Sequence, residues 1–196
     1  VILDYAHTPD ALRICLSNLK EQFPNKKIIL LFGCGGNRDK NKRYKMGKIA
    51  SNYSSEIYLT DDNPRFEDPR KIRNDIKKGI QNTLIKEISD RKLAISEAIR
   101  NLNTGDILLV AGKGHEKTQD FGKKKIYFSD KKIILDCIKL KNINLSKNLK
   151  INIIKELSKI KNKIPLIKVD KARINSKEVN KNDIFFAIKG KKNDGN

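Results

Sequence analysis

Four short segments of this chain gather polar groups whose types and spacing suit ligand chemistry. The first, Asp4-Tyr5-Ala6-His7-Thr8-Pro9, ends an apolar run and opens an amphipathic one. A carboxylate there can bind paired ribose hydroxyls, while an imidazole and a helix N-terminus suit phosphate oxygens. The competing reading is that Asp4 and His7 only cap and pack. The second, Gly33-Cys34-Gly35-Gly36-Asn37-Arg38-Asp39-Lys40, has glycines that let backbone approach a ligand. It lacks the Gly-Lys-Ser/Thr ending of a phosphate-binding loop and the third glycine of a dinucleotide fingerprint. Arg38 instead offers a fork of donors matched to a carboxylate. The third, Asp61-Asp62-Asn63-Pro64-Arg65, combines an amide with both donor and acceptor, a guanidinium and a rigid proline. Such a set can grip the ammonium and carboxylate of an amino acid, or simply form an Asx turn before a helix. In the fourth, Gly112-Lys113-Gly114-His115-Glu116, two glycines leave room for a ligand and Glu116 can neutralise an amine, with His115 read as structural.

These segments need a scaffold, and its pattern is regular. Short apolar runs at 1–3, 28–32, 57–60 and 107–111 are strand-like, and each is followed by Gly, Asp or Asn. Between them, 8–22, 42–53, 69–80 and 90–102 carry apolar residues at helical spacing. Asp68 before Pro69 makes a good N-cap, and Ser89 or Asp90 can cap the next helix. The alternation predicts an α/β domain with a mostly parallel sheet. Ligands of such sheets sit outside the carboxyl ends of the strands, where all four polar segments fall, so they are expected to converge on one rim.

A last helix over 131–140 closes the domain expected at 1–140. A linker is expected at 141–150, then a partial segment at 151–196 with a short amphipathic helix at 151–160 and a strand at 183–189. The chain starts inside a strand, which leads us to expect an upstream portion. Lys and Arg number 43 against 23 Asp and Glu, a formal charge of +20 that would attract nucleic acid, anionic membrane or phosphorylated small molecules. The lysines are spread along the chain with abundant Ile and Asn, the mark of an AT-rich coding bias. With seven Phe, five Tyr, no Trp and no basic recognition helix, a nucleic-acid-binding module is the alternative from another class, and no specific nucleic acid is expected as a partner. Cys15, Cys34 and Cys137 form no disulfide framework and no CxxC pair, and no metal site is expected; a reducing cytoplasm fits. No apolar run approaches the roughly 20 residues of a membrane span.

Taken together and in order, DYAHTPDAL, FGCGGNRDK, TDDNPR, DILLVAGKGHE and the later FSDK closely resemble the C-terminal domain of Mur ligases of the diaminopimelate-adding, MurE type, over about 1–140. The resemblance implies a Rossmann-like sheet with flanking helices. It implies that Arg38, Asp62, Asn63, Arg65, Gly112 and Glu116 contact the incoming meso-diaminopimelate, and that Asp4 and His7 lie on the nucleotide side. It further implies ATP and Mg²⁺ as cofactors, bound mainly by a central domain, and a UDP-muramoyl peptide as the acceptor. The reaction implied is ATP-dependent activation of a D-glutamyl carboxylate to an acyl phosphate, attacked by the amine of diaminopimelate in peptidoglycan synthesis. The DNPR form looks like a diaminopimelate selector, and a lysine-adding or folylpolyglutamate synthase-like ligase is the rival. No catalytic residue is expected in these 196 residues, which on their own are expected neither to hydrolyse ATP nor to ligate.

A second, looser resemblance covers Ile174-Asn175-Ser176-Lys177, the run from Asn182 to Gly190, and Asn193-Asp194-Gly195. These look like the UDP-sugar-binding N-terminal domain that opens Mur ligases, most like the MurF-type, D-alanyl-D-alanine-adding enzyme. Ser176 and Lys177 are then expected at the uridine diphosphate. Lys177 stands where the family usually has Arg, replacing a fork with a point charge.

Overall fold

The computed structural model describes residues 1–158, 172–173 and 184–185, with side chains over 1–146. The chain divides into two units, Val1–Leu145 and Ser146–Asn196.

The first unit is built on a five-stranded parallel sheet in the order β1-β5-β2-β3-β4, from β1 (Ile2–Asp4), β2 (Ile28–Phe32), β3 (Glu56–Leu59), β4 (Leu84–Glu87) and β5 (Ile107–Ala111). Strand β2 is buried along its whole length because both faces of the sheet are covered. Its alternate residues feed two cores: Ile28, Leu30 and Phe32 join Leu12, Leu16, Met46, Ile72 and Ile76, while Ile29 and Leu31 join Ile95, Ile99, Leu108, Val110 and Ile134. The first core lies under α1 (Pro9–Gln22), α2 (Asn41–Tyr53) and α3 (Pro69–Lys77); the second lies under α4 (Arg91–Asn101) and α5 (Asp130–Ser158). After three crossovers on one face, α4 returns the chain on the other and inserts β5 between β1 and β2.

Local chemistry accounts for the helix starts. Thr8 accepts from the Ala11 amide with Pro9 at the first helical position, Asp68 accepts from Arg70, and Asp90, rather than Ser89, accepts from Leu93. Leu12, Leu16 and Leu19 then form the buried stripe of α1.

Three features depart from the sequence reading. Strand β4 was not expected, since Leu84-Ile85-Lys86-Glu87 is only half apolar; it sits at the sheet edge, where Lys86 pairs with Glu56 at 2.9 Å. A hairpin of β6 (Thr118–Asp120) and β7 (Lys125–Tyr127) is too short and polar to show periodicity. Helix α5 does not stop near 140 but runs through the stretch expected as a linker, which contains neither Gly nor Pro to break it. In the second unit, β8 (Ala172–Arg173) and β9 (Ile184–Phe185) pair in parallel, β9 falling within the strand expected at 183–189. Ser176 and Lys177 lie outside the described residues. No helix of the described residues is long and apolar enough to cross a membrane.

Candidate functional site

The carboxyl ends of β1, β2, β3 and β5 enclose a cleft of about 450 Å³. Arg38, Asp62, Asn63, Arg65, Gly112 and Glu116 all line it, as does His7. The sheet order explains the convergence: β5, the last of this sheet's five strands in sequence, lies between β1 and β2 and brings the Gly112 turn alongside the Gly33 and Asp62 loops.

Asp62 forms one wall. It is 8% exposed, and among the described residues its carboxylate has no hydrogen-bond or ion-pair partner. Its carbonyl accepts from Gln119 Nε2 at 2.7 Å, which anchors the loop on the hairpin. Gly112 faces it with φ of +109°, and a Cβ there would lie 2.9 Å from Asp62 Oδ2, so both conformation and space call for glycine.

Behind this wall is a closed polar triangle. Fully buried Lys113 donates to Asn63 Oδ1 at 2.9 Å and to Glu116 Oε2 at 2.8 Å, and Asn63 Nδ2 donates to the same Oε2 at 3.0 Å. Asn63 Oδ1 also accepts from the Asp120 amide at 3.0 Å. The sequence reading gave Asn63 both a donor and an acceptor for a ligand. The acceptor is already occupied twice, so Asn63 has only amide hydrogen to offer. Burial pushes the Glu116 carboxyl upward, but the bonds from Lys113 and Asn63 outweigh it and hold the group below its ordinary range.

Arg65 ties loops together as well as facing the cleft. Its backbone is left-handed (φ 52°), its amide donates to Asp120 O at 2.9 Å, and Nη1 donates to Gly36 O at 2.8 Å. Among the described residues Nη2 has no acceptor. The Gly36 amide donates back to Asn63 O at 2.8 Å, and a Cβ on Gly36 would fall 2.0 Å from Pro64 O. The loops after β2 and β3 are thus in backbone contact. Exposed Arg38 makes no ion pair among the described residues, so its guanidinium is available at the cleft mouth.

On the β1 side, the structure separates the two residues expected together. His7 lines the cleft, with Nδ1 2.9 Å from Tyr5 O and its carbonyl accepting from Lys42 Nζ at 2.9 Å. Asp4 lines instead a groove against α1, and its Oδ1 accepts from the Ala6 amide at 2.7 Å. The capping reading of Asp4 therefore describes one of its oxygens. Tyr5 packs against both His7 and His115, with ring centres 4.5 and 5.4 Å away and the rings tilted by 56° and 40°.

Sequence reasoning missed the supports. Lys113 lay within a noted turn without a role; Gln119 and Asp120 belong to the unanticipated hairpin. Asp130, quoted only as part of FSDK, makes a bidentate pair with Arg91 at 2.9 and 2.8 Å, both side chains having no exposure, while Arg91 Nη2 also donates to Ala111 O at 2.9 Å. Arg73 similarly holds Asp61 and, at 2.8 Å, Glu87. The only signal for these pairs was unlike charge at long sequence separation, which one sequence does not resolve.

An open parallel sheet with guanidinium, carboxylate and amide groups gathered outside the carboxyl ends of its strands defines the class, and the comparisons agree. Residues 1–114 match the family described as Mur ligase, glutamate ligase domain, and the chain belongs to that family. Among curated relatives, the UDP-N-acetylmuramoyl-L-alanyl-D-glutamate--2,6-diaminopimelate ligase of Rickettsia rickettsii is 50% identical over 141 residues, covering 71% of this chain and 29% of the relative. The ligase of the same name from Wigglesworthia glossinidia brevipalpis is 54% identical over 135 residues, covering 68% and 27%. A solved structure with that name superposes with a TM-score of 0.67 at 40% identity, covering 71% of this chain and 29% of the other. The chain therefore spans under a third of the length of these relatives.

Proposed function

We propose that residues 1–140 are the amino-acid-binding C-terminal domain of an ATP-dependent ligase that adds meso-diaminopimelate to UDP-N-acetylmuramoyl-L-alanyl-D-glutamate during peptidoglycan synthesis in the cytoplasm. The observation that carries this reading is one cleft combining unpaired Asp62, an acceptor on Glu116, the guanidinium of Arg38 and the open Nη2 of Arg65, whose Nε lies 3.9 Å from Asp120 Oδ2. Diaminopimelate has two amino-acid ends, one to react and one to be held. Asp62 and Glu116 suit the held ammonium, and Arg65 and Arg38 suit the held carboxylate. His7 and Asp4 are proposed on the nucleotide side, with Asp4 offering the oxygen that does not cap Ala6.

The chemistry of activation comes from ATP and Mg²⁺. No group of three His, Cys, Asp or Glu side chains able to hold a metal exists among the described residues, and no Gly-rich loop ends in Gly-Lys-Ser/Thr. This chain's part is to bind and orient the amine. We further propose that residues 151–196 begin a MurF-type N-terminal domain, with Ser176 and Lys177 at the uridine diphosphate.

Calorimetric titration with meso-diaminopimelate and L-lysine tests the reading. Lysine lacks the distal carboxylate, leaving the partly buried Arg65 donor unmatched at a cost of about 1–3 kcal/mol, so it should bind roughly five- to 150-fold more weakly. Equal affinities would overturn the assignment and favour a lysine-adding ligase.

A further inference from the structure

Lys113 belongs to the Asn63–Glu116 triangle, does not itself line the cleft and touches no ligand in the proposed function. An ammonium with no exposure keeps its charge only through its partners, and Lys113 has Asn63 Oδ1 at 2.9 Å and Glu116 Oε2 at 2.8 Å. Glu116 Oε2 also accepts from Asn63 Nδ2 at 3.0 Å, whereas Oε1 has no partner among the described residues. The Glu116 side chain is 31% exposed and lines the cleft.

We infer that Lys113 is a positioning residue that sets ligand polarity: it holds Glu116 as a charged acceptor with Oε1 free for the ligand, and it commits the Asn63 carbonyl so that this amide can only donate. The ligand's ammonium is then directed to Glu116 and Asp62, and its carboxylate toward Asn63 Nδ2 and the guanidiniums. The inference rests on the amino-acid-binding reading and explains why the end held in the cleft would have one orientation.

The charged groups around Glu116 are few. Lys113 comes from its own turn, Arg65 from the loop after β3 and Arg91 from α4, while Asp62, lining the same cleft, carries a like charge. Removing Lys113 leaves burial opposed mainly by one neutral amide bond, so the Glu116 carboxyl should move upward.

The test follows the Glu116 carboxyl carbon by NMR across pH in the full 196-residue chain, together with meso-diaminopimelate affinity by calorimetry. Native Glu116 should titrate below the ordinary carboxylate range, with affinity level between about pH 8 and about pH 5.5. In Lys113→Met its titration should rise above that range, and affinity should fall about tenfold per pH unit below the new midpoint. Lys113→Met/Glu116→Gln should bind weakly at every pH but without the slope. Should Lys113→Met not fold, Lys113→Gln carries the same comparison with a smaller change of shape. A Glu116 titration unmoved by either substitution, or a loss of affinity equal at all pH values, would assign Lys113 a purely structural role and overturn the inference. Native Glu116 titrating above the ordinary range would do the same. If the native chain binds no meso-diaminopimelate while Glu116 responds to Lys113 as expected, the substrate assignment falls and the coupling stands.

Discussion

Replacing Asp130 with Asn should destabilise the first unit more than any conservative change on its surface. Arg91 and Asp130 both have no solvent exposure and make two bonds of 2.9 and 2.8 Å, so the substitution leaves a guanidinium buried without its counter-charge. Breaking a buried pair on one side costs about 3–5 kcal/mol, because the remaining charge has lost both water and partner. For a unit of this size that corresponds to roughly 6–20 °C in melting temperature. The effect should reach the cleft, since Arg91 Nη2 also holds the Ala111 carbonyl next to Gly112. Urea denaturation and thermal melting of the native, Asp130→Asn, Arg91→Met, Asp130→Leu and Arg91→Met/Asp130→Leu proteins measure it. The double variant, which removes both charges, should be markedly more stable than the sum of its single substitutions. A loss below about 1 kcal/mol for Asp130→Asn, or strict additivity in the double variant, would refute the reasoning.

Gly36→Ala should force apart the loops after β2 and β3, because its Cβ would overlap Pro64 O at 2.0 Å and disturb the Gly36–Asn63 bond. A loss of about 1–3 kcal/mol by urea denaturation is expected, with weaker meso-diaminopimelate binding by calorimetry. Acid should destabilise the fold in a defined window. Asp75 is held low by Lys78 and Arg43, and Glu87 by Arg73 and Lys77; for Glu67, the Asn37 amide and Arg43 outweigh burial. Each folded carboxyl lies below its unfolded value, so the stabilisation is complete above about pH 5 and is lost as pH falls through the folded values. Asp61, raised by burial despite Arg73, has the opposite sign and should offset part of the loss. Urea midpoints measured from neutral pH downward should stay level and then drop below about pH 4; a midpoint that rises there would contradict the assigned shifts.

Much of this architecture was legible in the sequence because parallel strands and amphipathic helices write their burial into local patterns. The strands β2 and β5, the caps at Asp68 and Asp90, and the gathering of polar segments at strand ends all follow from periodicity and turn chemistry. The edge strand β4 was not legible, since one exposed edge relaxes the demand for apolar residues, and the β6–β7 hairpin was too short to carry a period. Tertiary structure alone decided which polar groups remain for a ligand. It turned Asn63 from a two-sided contact into a donor, left Asp62 unpaired, moved Asp4 to a groove outside the cleft, and placed Lys113 and Arg91 beneath it. A hydrogen bond between residues 50 or more positions apart depends on the path of the whole chain, and a side chain's type says what it can bind but not what it has already bound.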